Sequence, residues 1–458
     1  MKFIKYIAII VLVFSALSVP AQTEKGKGNS SKPNIIYILA DDLGINGVSS
    51  YGADRYKTPN IDNLAKTGMQ FNRAYTAPLC GPSRALILTG RYAFRTGATN
   101  QDATGEMSPS VETMTPKVLK AAGYVTSSIG KWGQLPLGPA DFGFDDYLKF
   151  KGSGVYWNDE KKSENYIENG ETKPLHDKEY MPDVLHNHLV DFINKNKDKL
   201  FYIYYSMSGV HAQITRTPDS KPDSKDLYAD NIVYMDKLVG KLIAELDRLK
   251  LRENTLIVFM GDNGTAGKYA AEGTVHGKQI IGKKGEMEEG GSQVPFIANW
   301  TGKIAPGKVT DQLIDASDLM PTFTELAGAS LPTKNVLDGK SFLPQLLGQK
   351  GSPRDWVFME LGNKWWVRDA NWKLNQAGQL FDMSNAPYEE KPVAADTKAA
   401  NATAERAKLQ AVLSKLNPAG GIVDTGDGTG RSGNKAEMKP VEKNDKKEKK
   451  NKKDKPEN

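Results

Sequence analysis

The chain has 458 residues, 25% of them charged, and a formal net charge of +6. A chain of this length can bury a large core, so we expect one large domain and a smaller one. The excess charge lies at the two ends. Lys2, Lys5 and residues 435–458 together hold twelve lysines and six acidic residues, which leaves 49 of each sign elsewhere. A neutral domain has no basic face for phosphate backbones, so nucleic acid is excluded as an expected partner.

Residues 1–21 have the composition of a secretory signal peptide. Two lysines precede an apolar run over residues 7–19, and Val19-Pro20-Ala21 supplies the small residues of a cleavage site. The run is too short to span a bilayer and no later segment qualifies, so we expect no stable membrane insertion. The predicted protein is periplasmic or secreted, with a polar leader over residues 22–33. Its single cysteine excludes an internal disulfide, so its stability must come from the core or from bound metal.

The first predicted strand ends in two adjacent carboxylates. Ile35 to Leu39 is a continuous apolar run of strand length, typical of a strand covered on both faces. Asp41 and Asp42 follow it, and two such carboxylates repel each other unless a cation lies between them. Open α/β sheets bind ligands at the carboxyl ends of their strands, and hard oxygen ligands suit Ca²⁺ or Mg²⁺. The pair indicates a metal site, with a helix cap or a turn as the alternative.

The only cysteine lies in Leu79-Cys80-Gly81-Pro82-Ser83-Arg84, a segment that runs on through Ala-Leu-Ile-Leu to Thr89-Gly90-Arg91. Pro82 and the apolar run predict a helix whose first turn includes residue 80. Backbone N–H groups at a helix N-terminus favour anions, so Cys80 is placed where an anionic ligand would bind. The alternative interpretation is an isolated buried thiol.

Two further strands end next to polar residues. Tyr124 to Ser128 predicts a strand that leads into Gly130-Lys131-Trp132-Gly133. Phe201 to Tyr205 predicts another, and the loop after it holds His211. An unperturbed histidine titrates near neutrality, which suits a general acid. His211 is therefore a candidate proton donor, with a structural histidine as the alternative.

A strand over Thr255 to Met260 ends in Gly261-Asp262-Asn263-Gly264. The glycines let the backbone turn sharply and bring Asp262 and Asn263 towards the cation expected at the first strand. Asn263-Gly-Thr also fits a glycosylation acceptor, which is the weaker interpretation next to a bacterial signal peptide. The later segment 277–285 nearly spells a phosphate-binding P-loop, but Lys284 stands where that loop needs Ser or Thr, so we reject it.

The C-terminal part predicts a smaller α+β region. A strand over residues 294–300 precedes a linker at 335–352, and short strands at 356–360, 365–368 and 379–382 precede a helix near 399–416. Trp365, Trp366 and Trp372 cluster there and either pack the small sheet or stack against sugar rings. The predicted domains are 34–345 (catalytic), 346–420 (α+β subdomain) and 421–458, a disordered lysine-rich tail.

The form Cys-x-Pro-Ser-Arg followed by Thr-Gly-Arg resembles the signature of the type I sulfatases, which belong to the alkaline phosphatase superfamily. The resemblance covers roughly residues 34–420. It implies an α/β fold in which helices sandwich a large, mixed, mostly parallel sheet, next to a smaller C-terminal α+β subdomain. It also implies that a formylglycine-generating enzyme oxidises Cys80 to formylglycine.

The hydrate of that aldehyde has a chemical advantage over a serine. A serine would leave a stable sulfate ester on the enzyme, and water would then have to attack a second crowded sulfur. A geminal diol takes the sulfuryl group on one hydroxyl and expels sulfate by carbon–oxygen cleavage when the other hydroxyl loses its proton. The resemblance implies that Arg84 holds the formylglycine and helps to offset charge.

The resemblance assigns the remaining site residues. The metal, usually Ca²⁺ and less favourably Mg²⁺, would be held by five residues: Asp41, Asp42, residue 80, Asp262 and Asn263. Lys131 and Lys284 would bind the sulfate oxygens, and His211 would protonate the leaving alcohol.

One position departs from the family pattern. The family segment Gly-Lys-Trp-His reads Gly-Lys-Trp-Gly here, so Gly133 replaces a histidine that assists the expulsion of sulfate. His276 lies in the same segment as Lys284, and we predict that it reaches the site and replaces this histidine.

The sequence therefore predicts an exported, metal-dependent sulfatase, a sulfuric ester hydrolase. The expected substrates are sulfated polysaccharide fragments, either algal (ulvan, carrageenan or fucan type) or glycosaminoglycan. One alternative is a phosphate or phosphonate ester hydrolase of the same superfamily, which would usually have a Ser or Thr nucleophile or a second metal site. The other is a non-catalytic polysaccharide-binding relative, suggested only by Gly133.

Overall fold

The computed structural model describes residues 32–102, 104, 107–158, 164–424 and 426. The predicted signal peptide, residues 22–31 of the leader and residues 427–458 of the tail lie outside the described residues. Within the described ranges, none of the helices combines the length and the apolar composition that a membrane crossing requires.

Ten strands form one sheet: β1 (Asn34–Ala40), β2 (Met69–Tyr75), β3 (Val125–Gly130), β4 (Asp146–Phe150), β5 (Asn165–Glu168), β6 (Glu171–Pro174), β7 (Phe201–Ser206), β8 (Thr255–Gly261), β9 (Gln293–Asn299) and β10 (Lys308–Asp315). Their order across the sheet is β10-β2-β9-β8-β1-β7-β3-β4-β5-β6. Only β9 and β5 run opposite to their neighbours, and every other adjacent pair is parallel. The prediction of a large, mixed, mostly parallel sheet is confirmed.

The eleven α-helices of the described residues are α1 (Pro59–Thr67), α2 (Cys80–Thr89), α3 (Ala93–Thr96), α4 (Thr115–Ala121), α5 (Met181–Asn196), α6 (Leu227–Arg248), α7 (Gly267–Glu272), α8 (Glu289–Ser292), α9 (Leu319–Leu326), α10 (Leu343–Leu346) and α11 (Ala400–Leu416). They cover both faces of the sheet. Ile35, Tyr37 and Leu39 of β1 join one apolar cluster with α2, α4 and α9, whereas Ile36 and Ile38 join another with α1, α5 and α6. Burial on both faces explains why β1 is apolar along its whole length.

The C-terminal region forms a second, antiparallel sheet from β11 (Val357–Leu361), β12 (Lys364–Arg368), β13 (Trp372–Asn375), β14 (Leu380–Asp382) and β15 (Lys391–Pro392). Helix α11 packs on it through Leu409 and Leu413, which belong to the same apolar cluster as one face of the large sheet. The α+β subdomain is confirmed. Its predicted boundary at residue 345 falls between the last strand of the large sheet and the first of the small one.

The clustered tryptophans of the subdomain pack the small sheet. Trp366 is buried and lies edge-on to Tyr75, and Trp365 and Trp372 pack partly buried against the core. Of the two interpretations that the sequence left open, packing fits these positions.

Candidate active site

Four adjacent parallel strands, β8, β1, β7 and β3, end at the same edge of the sheet. Ala40 pairs with Gly261, and Gly130 pairs with Ser206, so the residues that follow each strand are neighbours. A Cβ on Gly130 would lie 1.9 Å from the Ser206 carbonyl oxygen, and its φ is +104°. Only glycine fits there, and it turns the chain so that the next residue, Lys131, enters the site.

The carboxylates predicted after β1 and β8 meet at this edge. The Asp42 backbone N–H donates a hydrogen bond of 3.0 Å to Asp262 Oδ1, and Asn263 Nδ2 donates one of 2.9 Å to Asp42 Oδ1. All four side chains, including that of Asp41, are buried. Asp42 adopts a left-handed φ of +59°, a strained conformation for a non-glycine residue that is typical of functional sites.

Three bases face these carboxylates. Lys131 Nζ lies 2.7 and 2.9 Å from the two oxygens of Asp41, and Lys284 Nζ lies 2.5 Å from Asp42 Oδ1. Arg84 Nη2 lies 2.7 Å from Asp262 Oδ2. The structure thus brings together Asp41, Asp42, Asp262, Asn263, Arg84, Lys131 and Lys284, which we call the active-site cluster.

Arg84 is fully buried, and strand β7 supplies most of its remaining partners. Its Nη1 donates to the Lys131 carbonyl oxygen at 3.0 Å, to the Tyr204 hydroxyl at 3.2 Å and to the Ser206 hydroxyl. No sequence motif marked Tyr204 or Ser206, because both lie in an apolar strand pattern. Their role in holding Arg84 emerges only from the pairing of β7 with β1 and β3.

The pKa values of the active-site cluster are set by burial and by neighbouring charges. Burial raises the pKa of Asp262, and the adjacent charge of Asp41 raises it further. Burial acts in the same direction on Asp41, but Lys131 and then His211 hold its pKa below the usual value. The pKa of Lys131 is raised: burial acts to lower it, but the charges of Asp41, Cys80 and Asp262 together outweigh that effect. The Lys131–Asp41 pair is therefore held in its charged form.

Cys80 is the first residue of α2, as the sequence predicted for this helix start, and it is buried. Its Sγ and one oxygen each of Asp41 and Asp262 lie within 4.8 Å of one another. Gln101, which no sequence pattern indicated, donates from Nε2 to Cys80 Sγ at 3.3 Å and accepts the Gly81 N–H through Oε1 at 3.0 Å. The only cysteine therefore faces the carboxylates from a helix N-terminus.

The structure separates the two predicted histidines. His211 Nε2 lies 3.8 Å from Asp42 Oδ2, and its side chain is 13% exposed, at the rim of the active-site cluster. His276 is exposed, its backbone N–H donates to the Gly52 carbonyl oxygen, and its ring packs over Gly52. The structure thus does not bring His276 together with Cys80. The role predicted for it in place of the family histidine has no support from this position.

The loop that carries Lys284 is tied to both domains. The Gly285 N–H donates to the Pro78 carbonyl oxygen at 2.7 Å, two residues before Cys80. On the other side, Lys373 of β13 donates to the Met287 carbonyl oxygen at 3.3 Å, and Glu390 Oε1 accepts the Glu289 N–H at 2.8 Å. The subdomain thus holds one of the three bases of the site in place.

The donor set of the active-site cluster fits a hard cation. Asp42 Oδ2 and Asn263 Oδ1 are buried and have no hydrogen-bond partner in the part of the chain that the structure describes. Buried oxygens without a partner are rare in native proteins and are typical of positions that bind an ion or a water molecule. Carboxylate and amide oxygens are the ligands that Ca²⁺ and Mg²⁺ prefer.

Comparison with known proteins identifies the family of this chain. The Sulfatase family profile matches residues 33–329, and a profile described as N-sulphoglucosamine sulphohydrolase, C-terminal, matches residues 281–417. The chain belongs to the sulfatase family of the alkaline phosphatase superfamily. It is accordingly a sulfuric ester hydrolase, as the sequence predicted.

Similar relatives include N-acetylgalactosamine-6-sulfatase of Canis lupus familiaris, 33% identical over 74% of this chain and 70% of that protein. Arylsulfatase A of Homo sapiens is 33% identical over 71% of this chain and 70% of that protein. Among solved structures, that of Ps i-CgsB in complex with k-i-k-neocarrahexaose superposes with a TM-score of 0.73 at 29% identity. The superposition covers 84% of this chain and 92% of the chain in that structure.

Proposed function

We propose that this protein hydrolyses sulfate esters of carbohydrates with a formylglycine formed from Cys80 and a bound Ca²⁺. The proposal depends mainly on one observation: the only cysteine, at a helix N-terminus, lies close to three carboxylates and three positively charged side chains at one edge of the sheet. An isolated buried thiol would need no such surroundings.

The substrate class rests on the relatives and on a cleft. One relative is named for N-acetylgalactosamine 6-sulfate, and a similar solved structure holds a neocarrahexaose. A cleft of about 660 Å³ opens between the Lys284 loop and the small sheet, and its lining combines polar and charged side chains such as Lys364, Asn375 and Glu286 with apolar ones such as Trp366 and Phe381. Its size lies within the range of small-molecule sites. Sulfated polysaccharide fragments, algal or glycosaminoglycan, are the substrates that we propose.

Residue 80 is the proposed nucleophile. As a formylglycine hydrate it supplies one hydroxyl that takes the sulfuryl group and a second whose deprotonation releases sulfate by carbon–oxygen cleavage. Arg84 compensates the negative charge of Asp262 through its 2.7 Å contact and holds that carboxylate in place near residue 80. Lys131 and Lys284 bind the sulfate oxygens, where preorganised positive charge stabilises the developing negative charge.

Asp41, Asp42, Asp262, Asn263 and residue 80 are the proposed ligands of Ca²⁺, with Mg²⁺ less favoured. When bound, the ion polarises a sulfate oxygen as a Lewis acid. The three carboxylates and three bases of the cluster cancel formally, so a divalent cation would leave an excess of two positive charges. That excess favours an anionic sulfate ester in a buried site, where electrostatic interactions are poorly screened.

His211 is the proposed general acid. Its side chain is 13% exposed and its Nε2 lies 3.8 Å from Asp42 Oδ2, so the imidazole is in reach of both the active-site cluster and solvent. Its main chain is fixed because the Tyr156 hydroxyl donates to the His211 carbonyl oxygen at 2.8 Å. An imidazolium that protonates the departing oxygen contributes about 10²- to 10⁴-fold in rate.

Export and maturation complete the proposal. The predicted signal peptide at residues 1–21 indicates a periplasmic or secreted enzyme, and conversion of Cys80 requires a formylglycine-generating enzyme as a partner.

The test is release of inorganic sulfate, measured by ion chromatography, from sulfated algal and animal oligosaccharides. The protein is produced together with a formylglycine-generating enzyme, and peptide mass confirms the aldehyde. We expect release by the wild type and a loss of at least about 10⁴-fold in Cys80→Ala, because the nucleophile is removed.

Two outcomes would contradict the proposal. Release of phosphate but not sulfate from matched esters would indicate the phosphoester hydrolase. Retention of an unmodified thiol in protein from its native host, together with carbohydrate binding and no turnover, would indicate the binding relative.

A further inference from the structure

Gln101 uses both ends of its amide at the N-terminus of α2. Its Nε2 donates to Cys80 Sγ at 3.3 Å, and its Oε1 accepts the Gly81 N–H at 3.0 Å. A glutamine amide has one acceptor and two donor hydrogens in a fixed plane, so these two contacts together set its orientation. Of the side chains described, it is the one with a hydrogen bond to the sulfur of residue 80.

Thr104, three residues after Gln101, packs next to the segment that contains Gly133, the position where the family has a histidine. Thr104 Oγ1 donates to the Gln134 carbonyl oxygen at 2.9 Å, and Thr104 Cγ2 lies 3.3 Å from the place of a Cβ on Gly81. Gly133 has a φ of +76°, and a Cβ there would lie 3.1 Å from Arg84 Cδ. No side chain reaches residue 80 from position 133, and Gln101 and Thr104 contact residues 80 and 81 instead.

We propose that Gln101 is a positioning residue for the nucleophile. In the structure, Sγ of Cys80 stands in for a hydroxyl oxygen of the formylglycine hydrate. Gln101 Nε2 donates a hydrogen bond to that oxygen and restricts rotation about the Cα–Cβ bond of residue 80. The oxygen is thereby held towards the carboxylates that already lie within 4.8 Å of Sγ. This inference rests on the proposed formylglycine chemistry.

The hydrogen bond has a second consequence that does not require turnover. The aldehyde of residue 80 adds one water molecule to give the hydrate, and the reverse step releases that water. A donor that contacts a hydroxyl of the hydrate stabilises the hydrate over the free aldehyde. A hydrazide probe attacks only the free aldehyde carbon and forms a hydrazone with loss of water. Removing the donor should therefore accelerate capture by the probe.

Gln101→Met is the main variant, because methionine keeps the approximate volume and removes both hydrogen bonds. We expect kcat, normalised to the aldehyde fraction found by peptide mass, to fall about 10- to 100-fold, the usual size for a residue that orients a reacting group. We expect KM to stay within about twofold, since the Gln101 amide is bonded to residues 80 and 81, and hydrazide capture to become several-fold faster. Gln379→Met is the matched control. Its amide also makes two hydrogen bonds, to the carbonyl oxygens of Leu380 and Val393 in the subdomain.

The outcomes separate this inference from the proposed function. An inactive wild type with a confirmed aldehyde contradicts the proposed function. An active wild type with an unchanged kcat and capture rate in Gln101→Met overturns the positioning role alone. Equal losses in Gln379→Met, or a lowered kcat without faster capture, assign Gln101 a purely structural role and also overturn it. If Gln101→Met is not recovered folded, Gln101→Asn is measured in the same way. Its side chain is one methylene shorter, so its amide does not reach residue 80, and its kcat and capture rate then decide whether Gln101 is a positioning residue.

Discussion

Two buried groups of charged residues differ in how completely their side chains are hydrogen-bonded. In the active-site cluster, Asp42 Oδ2 and Asn263 Oδ1 have no hydrogen-bond partner among the described residues. The second group, which we call the α9 cluster, surrounds the start of α9 and contains Asp315, Asp318, Arg354, Ser317 and Tyr92. Its carboxylates are fully partnered.

The partners in the α9 cluster are all supplied by the protein. Arg354 Nε lies 2.8 and 2.7 Å from the two oxygens of Asp318, which also accept backbone N–H groups. Asp315 accepts from Ser317 through one oxygen and from the Tyr92 hydroxyl, at 2.9 Å, through the other. A closed network of this kind holds a helix in place, whereas the open oxygens of the active-site cluster leave ligand positions for an ion.

Asp262→Asn tests the open cluster and has the largest expected effect. It removes one negative metal ligand and the charged partner of Arg84, so we expect turnover to fall at least about 1000-fold, or ~4 kcal/mol of barrier. Sulfate release per mole of aldehyde is the measurement. The variant should still fold, because asparagine keeps an acceptor for the Asp42 N–H. Turnover near that of the wild type would contradict the assignment of Asp262.

Arg354→Met tests the closed cluster. It leaves the buried Asp318 without its cation, so we expect the free energy of unfolding to fall by about 3 kcal/mol, as for other broken buried pairs. Urea unfolding measures the loss, and the kcat of the folded protein should be unchanged. The control is Lys237→Met, which breaks the exposed pair with Asp219 and should cost less than ~1 kcal/mol. If both variants cost the same, the α9 cluster has no special structural role.

Removal of the cation should destabilise the wild type and abolish sulfate release. Binding to the folded state alone adds about 2.7 kcal/mol at a Ca²⁺ concentration 100 times its Kd. The melting temperature of chelator-treated protein should therefore rise on addition of Ca²⁺, and activity should return with it. Asp262→Asn serves as the control and should show a smaller shift. A wild type that keeps both melting temperature and activity after exhaustive chelation would falsify the metal site.

Glu360→Gln probes a carboxyl beside the α9 cluster and has the smallest expected effect. Burial raises the pKa of Glu360 to about 8, against the contribution of the hydrogen bond from the Phe94 N–H. The folded state therefore binds the proton more tightly than the unfolded state. The stability that this provides is present below pH 4.5 and is lost as pH rises towards 8. Relative to the wild type, Glu360→Gln should become progressively more stable as the pH rises from 5 to 8. A constant difference across this range in thermal or urea unfolding would contradict the prediction.

The sequence was informative where a residue type has one dominant reason to be present. The apolar run before Asp41-Asp42 and the run before Asp262-Asn263 predicted two strands that the structure pairs directly. Pro82 marked the start of α2. These signals are local, because strand burial and helix initiation depend on neighbouring residues.

The features that the sequence did not predict depend on contacts distant in the chain. Strands β2 and β10 contain a mixture of polar and apolar residues and were not predicted. They are strands because β2 pairs with β9 and β10 pairs with β2. Gln101 lies 21 residues after Cys80 in no motif, and its contact depends on how the loop folds over α2. His276 was predicted for the site from its nearness in sequence to Lys284, whereas the contacts that its backbone and ring make are with Gly52 in a loop distant in the chain.

The attachment of the Lys284 loop to β13 and Glu390 couples the C-terminal subdomain to a site whose proposed residues all come earlier in the chain, so we expect the activity to depend on both parts. A stop codon or a protease cut in the 335–352 linker would leave every proposed catalytic side chain in the surviving fragment. That fragment would still lose the lateral support of its loop at Met287 and Glu289. The enzyme is thus not modular: neither domain is expected to function in isolation or to tolerate exchange with a relative unless the matching loop is exchanged with it.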